Sequence, residues 1–128
     1  MKTLKLIFTI VAVALLFSQC QYDFIVPEEI IDPDDPSAEE VSFSAEIIPI
    51  FANNCTACHN TGGQRPDLTA ENAYSVLTGT TRYINEDTPE ESLIYTRAHP
   101  SNTDSHPKYS EAEAALVLTW IKQGAQNN

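Results

Sequence analysis

Cys55-Thr56-Ala57-Cys58-His59 decides how the rest of this chain is read. The spacing is C-x-x-C-H, the pattern that attaches c-type haem. Two thiols three positions apart on a helical turn can each add to one vinyl group of a porphyrin. The adjoining His59 then stands where an imidazole nitrogen reaches the iron as proximal ligand. Three blander readings compete. A thioredoxin-like dithiol belongs at a strand-to-helix junction, and no βαβ pattern surrounds this pair. A structural zinc site needs four Cys or His ligands, and only the loosely spaced His99 and His106 remain to complete one. A disulfide between Cys55 and Cys58 is open to the chain in an oxidising compartment.

Outward from the motif, the N-terminus reads as an export signal. Lys2 and Lys5 give a basic start, and Leu6 to Phe17 is almost wholly apolar. That run is short for a transmembrane helix, and small or polar residues follow it at once. Cys20 ends the stretch Leu15-Leu16-Phe17-Ser18-Gln19-Cys20, which resembles a bacterial lipoprotein signal. The resemblance implies a lipid-anchored Cys20 as first mature residue, with residues 1–19 removed. Gln19 departs from the small residue usual before that cysteine, so an ordinary signal peptide with a free thiol stays open. The chain has three cysteines. With two of them used by haem, lipidation also accounts for the odd one.

Residues 20–40 continue as an acidic, proline-rich segment in which Pro27 to Glu40 carries no basic residue. Like-charge repulsion, restricted backbone and little apolar surface predict an extended tether here, with a loop packed on the domain as the other reading. Residues 41–128 form one small domain. A chain this short buries a modest core and is helped by a staple, a role the apolar porphyrin disc fills. The formal charge is −11 and becomes −13 once Lys2 and Lys5 are lost with the signal. Such a balance argues against nucleic acid, which is gripped by clustered Lys and Arg, and favours a partner surface that is not acidic.

Helical signals recur within the domain, and no strand alternation persists. Ser42 or Ser44 is placed to cap a first helix whose Ile47, Ile50 and Phe51 share a face, with Pro49 either in its first turn or kinking the segment. Gly62 to Pro66 reads as a loop. Thr69 is placed to cap a second helix with Tyr74 and Leu77 inward and Gly79 as its stop. Thr88-Pro89-Glu90-Glu91 has the form of a capping box with proline at the first helical position, leading into Leu93, Ile94 and Arg97. The clearest helix is the last. Ser110-Glu111-Ala112-Glu113 opens it, Gly124 ends it, and Ala114, Val117 and Ile121 make an apolar stripe widened by Leu118 and Trp120.

With these segments placed, residues 41–128 resemble a small monohaem c-type cytochrome, closest to lipoprotein forms from Bacteroidetes-type bacteria. The matching stretches are Ser44 to Phe51, Cys55 to His59, Pro66-Asp67-Leu68, Ser92 to Tyr95 and Trp120 to Ala125. The resemblance implies an all-α fold, a small helical domain wrapped around one covalent haem c, with the first and last helices crossing near the haem edge. It also implies that the Pro66 carbonyl accepts a hydrogen bond from His59, which fixes the ring and raises its basicity. A plain loop turn is the alternative role for Pro66.

The sixth iron ligand departs from the common pattern. Members of the family usually supply a methionine, but the only methionine here is Met1. His106 and His99 remain, each followed by proline. His106 is preferred because it shortly precedes the capped last helix, in a loop similar to the family's distal-ligand loop. His99, a water, a weaker ligand or an open position are the alternatives. Two imidazoles would give a lower reduction potential than imidazole with thioether and leave no position for substrate.

The leading functional expectation is a membrane-tethered carrier of single electrons between redox proteins of the cell envelope, facing the periplasm or the cell surface. A peroxidase-like or gas-sensing haem protein with an open sixth position is the alternative, with His99 or Arg97 as candidate acid–base groups. A third reading is a binding module in which haem is structural. Arg65 and Arg82 would then face the partner or pair with haem propionates.

Overall fold

The computed structural model describes residues 30–128; Cys20 and the signal lie outside the described residues. Four α-helices appear among them, α1 (Ile48–Asn54), α2 (Ala73–Thr78), α3 (Leu93–Ala98) and α4 (Glu111–Lys122), with no strand. The domain is all-α, as expected.

Ser42 does cap the first helix. Its hydroxyl accepts the Ala45 N–H at 3.2 Å, and the Glu46 carboxylate accepts the Ser42 N–H at 2.7 Å. The first turn, Phe43–Ile47, is a π-helix that runs directly into α1. Pro49 explains the wide turn: it has no N–H for the carbonyl four residues back, and its ring would clash with that carbonyl in a tight helix. Ile47, Ile50 and Phe51 are buried together as the sequence predicts.

Two other starts differ from expectation. Thr69 does not cap α2, which starts four residues later with Asn72 at the N-cap position; the Thr69 hydroxyl donates to Asp67 Oδ1 at 2.7 Å. Thr69 heads a turn instead, its carbonyl accepting the Asn72 and Ala73 N–H groups, and α2 begins at Ala73. Thr88 likewise makes no side-chain cap; its hydroxyl donates to Glu91 Oε2 at 3.1 Å. Pro89–Glu91 is one 3₁₀ turn, and the extended, fully buried Ser92 separates it from α3. That break is held by the Asn85 N–H, which donates to Ser92 Oγ at 2.9 Å.

The last helix follows its sequence signals at both ends. The Ser110–Glu113 capping box is complete. At the far end, the Gly124 and Ala125 N–H groups reach the Ile121 and Trp120 carbonyls, with Gly124 at φ 88°. This is the Schellman arrangement, which needs a residue tolerant of positive φ at that position. Trp120 is fully buried, stacks on Phe43 with ring centroids 5.0 Å apart, and donates its indole N–H to the Gln126 carbonyl at 2.9 Å. Truncating a buried ring of this kind typically costs about 3–5 kcal/mol. The pair locks the start of the first helix against α4. Asn54 Nδ2 donates to Glu113 Oε1 at 2.9 Å and ties the other end of α1 to the start of α4.

The acidic stretch before the domain is not extended where the structure describes it. Lys122 pairs with Asp34 at 2.5 Å and Glu90 at 2.8 Å, and the Gln123 side chain accepts the Val41 N–H and donates to the Glu39 carbonyl. Asn128 Nδ2 donates to Glu40 Oε1 at 2.9 Å. Asp34, Glu39 and Glu40 are therefore held by Lys122 at the end of α4 and by Gln123 and Asn128 beyond it, which fits the packed loop rather than the extended tether for this part of residues 20–40. The reason is long-range: the cation and amides that hold it come from the other end of the sequence.

Candidate functional site

Cys55 closes α1, its N–H bonded to the Phe51 carbonyl at 2.8 Å. The Cys55 carbonyl then accepts the Cys58 and His59 N–H groups at 3.1 and 2.9 Å, so the motif wraps one further turn beyond the helix. The chain folds back under it: the Gln64 N–H donates to the Cys58 carbonyl and the Leu68 N–H to the His59 carbonyl, both at 2.9 Å. Gly63 makes this close approach possible. A Cβ there would stand 2.5 Å from the Cys58 carbonyl oxygen and 2.8 Å from Asn60 Oδ1. The tight loop brings the Pro66 carbonyl to 2.9 Å from His59 Nδ1. A carbonyl only accepts, so Nδ1 carries the proton and Nε2 keeps its lone pair free for a metal.

Cys55 and His59 face a cavity of about 640 Å³ whose other walls include Leu68, Ile94, Ala98 and Tyr109. This is the size of a cofactor site, with Leu68, Leu93, Ile94 and Ala98 as its apolar walls and polar groups set between them. Arg65, Arg82 and Arg97 also line it. Arg82 and Tyr83 are brought there because their carbonyls accept the Leu93 and Ile94 N–H groups at the start of α3. Arg97 pairs with Asp104, whereas Arg65 and Arg82 have no ion-pair partner among the described residues. Lys108 beside Asp104 holds that carboxyl below the usual carboxylate range.

His106 lines the same cavity, its ring centroid 6.0 Å from that of His59 and tilted 62° to it. Its Nδ1 lies 2.9 Å from the Pro107 carbonyl. The argument made for His59 applies again, and each ring keeps its Nε2 lone pair. His99 is placed differently. It does not line the cavity, packs edge-on against Tyr95 at 4.9 Å, and accepts the Ser101 N–H on Nδ1 at 3.1 Å. That acceptance leaves the proton of the neutral ring on Nε2.

Both thiols are free, and among the described residues no group of three or more His, Cys, Asp or Glu side chains converges as a metal site. Cys55 is half-buried and Cys58 exposed. Burial, with the Glu113 charge adding to it, pushes the Cys55 thiol up to about 11.

The family described as Cytochrome c matches this chain over residues 45–125. The chain belongs to the cytochrome c family. No curated protein and no solved structure matches it. As a cytochrome c, the chain carries a covalently attached haem c, with Cys55 and Cys58 at the attachment motif. The site fits that group: a cavity of cofactor size, a thiol and an imidazole on one wall, and arginines free to meet its carboxylates. Tyr109 was not singled out in the sequence. It is buried, lines the cavity and donates its hydroxyl to the Ile94 carbonyl at 3.1 Å. Burial raises its phenol far above the ordinary range. Its position just before the Ser110 capping box was the available signal, since that residue packs against the first turn of a helix.

Proposed function

We propose that this cytochrome c is a bis-histidine, membrane-tethered electron carrier of the cell envelope. One observation carries the reading: His59 and His106 face each other across the cavity with ring centroids 6.0 Å apart. Two metal–imidazole bonds of about 2 Å each, end to end, put ring centres roughly 6 Å apart. The haem supplies a one-electron Fe(III)/Fe(II) couple when bound. The chain's own residues do the rest. Pro66 aims His59 and strengthens it as a donor, and Pro107 does the same for His106. Arg65 and Arg82 stand where they can offset the propionate charge. If His59 and His106 both hold the haem, no substrate would reach the metal, and the chemistry the group would supply is outer-sphere electron transfer.

The envelope location rests on the export signal and on Cys20 as a lipid anchor, both read from the sequence. The net negative charge favours redox proteins that present a non-acidic docking surface. A mature protein isolated with its haem should take up and release one electron reversibly and show no peroxide turnover above free haem. Sustained peroxide turnover would instead establish the peroxidase-like alternative, in which the sixth position is open.

A further inference from the structure

The loop that carries His106 is organised around Asp104. Its Oδ1 accepts the His106 N–H at 3.0 Å and also pairs with Lys108. Its Oδ2 is closed off from solvent against the Arg97 guanidinium, a group that belongs to α3. Upstream, the Asp104 N–H donates to Asn102 Oδ1 at 3.1 Å, and Asn102 Nδ2 donates to the Thr96 carbonyl at 3.2 Å. Two successive side-chain-closed turns thus step from α3 to His106. On the other side of His106, the Tyr109 N–H donates to the Ala98 carbonyl at 2.8 Å, so the loop is fastened to α3 at both ends. The His106 ring itself makes only the bond to its neighbour Pro107 within the described residues. Its place over the cavity is consequently set by its backbone, and the backbone is held by Asp104.

We infer that Asp104 is the positioning residue for the distal ligand, its Oδ1 closing the turn onto the His106 N–H so that the ring stays opposite His59. The inference rests on the reading of His106 as sixth ligand. It assigns Asp104 no contact with the haem. A carboxylate that accepts a backbone N–H two residues on does something a longer side chain cannot copy. Aspartate and asparagine close this turn, whereas glutamate, one methylene longer, does not. Charge and turn closure can therefore be separated.

The test uses mature haem-loaded protein and reads carbon monoxide binding to the ferrous form at saturating gas, where the rate is that of His106 leaving, together with the ferric high-spin fraction. Asp104→Ala and Asp104→Glu should each bind about tenfold faster than the wild type, the loss expected when the turn-closing hydrogen bond is removed, and show more high-spin signal. Asp104→Asn, which keeps the turn and loses the charge, should stay within about threefold. Wild-type rates in both Asp104→Ala and Asp104→Glu would overturn the inference, and so would an Asp104→Asn rate equal to that of alanine. If the alanine variant does not mature, the glutamate and asparagine pair decides. His106→Ala separates the two layers: it should bind the gas with no slow step. Should it remain low-spin and slow, the ligand assignment fails and takes the Asp104 inference with it; should it behave as expected while both turn-breaking variants match wild type, Asp104 alone is refuted.

Discussion

Replacing His106 with alanine should convert the ferric protein from low-spin to high-spin almost completely, with added imidazole restoring the low-spin form. The ring stands opposite His59 with Nε2 free, and no second donor waits behind it. Methionine is absent from the domain. Tyr109 also lines the cavity, but its hydroxyl donates to the Ile94 carbonyl and burial keeps it protonated. The reduction potential should rise as well, because one strong imidazole donor to Fe(III) is gone. His99→Ala is the matched control. That ring sits outside the cavity with its Nδ1 engaged by Ser101, so spin state and potential should match the wild type. Absorption and electron paramagnetic resonance of the two variants side by side check both halves.

The second large effect concerns attachment. Changing Cys55 and Cys58 together to alanine should leave a polypeptide whose mass is that of the bare chain and from which acid–organic extraction removes any haem. Each single change should leave haem bound by one thioether and still retained on extraction. The folded domain should also lose stability in the double variant. The cavity of about 640 Å³ is bounded by Leu68, Ile94 and Ala98, and a loosely held disc fills it less often than a covalent one. A thermal melt of the double variant below that of either single variant is the expected result. Equal retention of haem in the double variant would mean that thioether bonds are not what holds the group.

The motif was the most legible part of the chain because each of its members has a separate chemical task and the tasks fix the spacing. The last helix was legible for a similar reason: Ser110 with Glu113 and Gly124 with Ala125 act within a few residues of themselves. Local signals failed where the helix began later or the cap's acceptor was used elsewhere. Thr69 lies four residues before α2, and the Thr88 hydroxyl accepts Asn85 Nδ2 at 2.6 Å while the Glu91 N–H goes to the Thr88 carbonyl. Pro49 was placed in the first turn or at a kink, yet the π-turn it forces was not foreseen.

Long-range pairing was out of reach. Nothing near Asp34 indicates that Lys122 will hold it, so an acidic segment that reads as free chain is held at the end of α4. Of the site, Cys55, Cys58, His59 and Pro66 could be placed from the motif and the family likeness, whereas His106 competed with His99 on equal residue chemistry. What separates the two histidines is tautomer and position, and both depend on a turn. Asn102-x-Asp104-x-His106 is a spacing of short polar side chains that close successive turns, and it was the unread signal for which histidine the fold would hold in place.

The account stands or falls on iron being gripped by His59 and His106 together. The most direct measurement is the electron paramagnetic resonance spectrum of the mature ferric protein at neutral pH. Two imidazoles on one ferric haem predict a purely low-spin signal. A dominant high-spin signal from fully loaded protein would contradict it, because it would leave the face opposite His59 open.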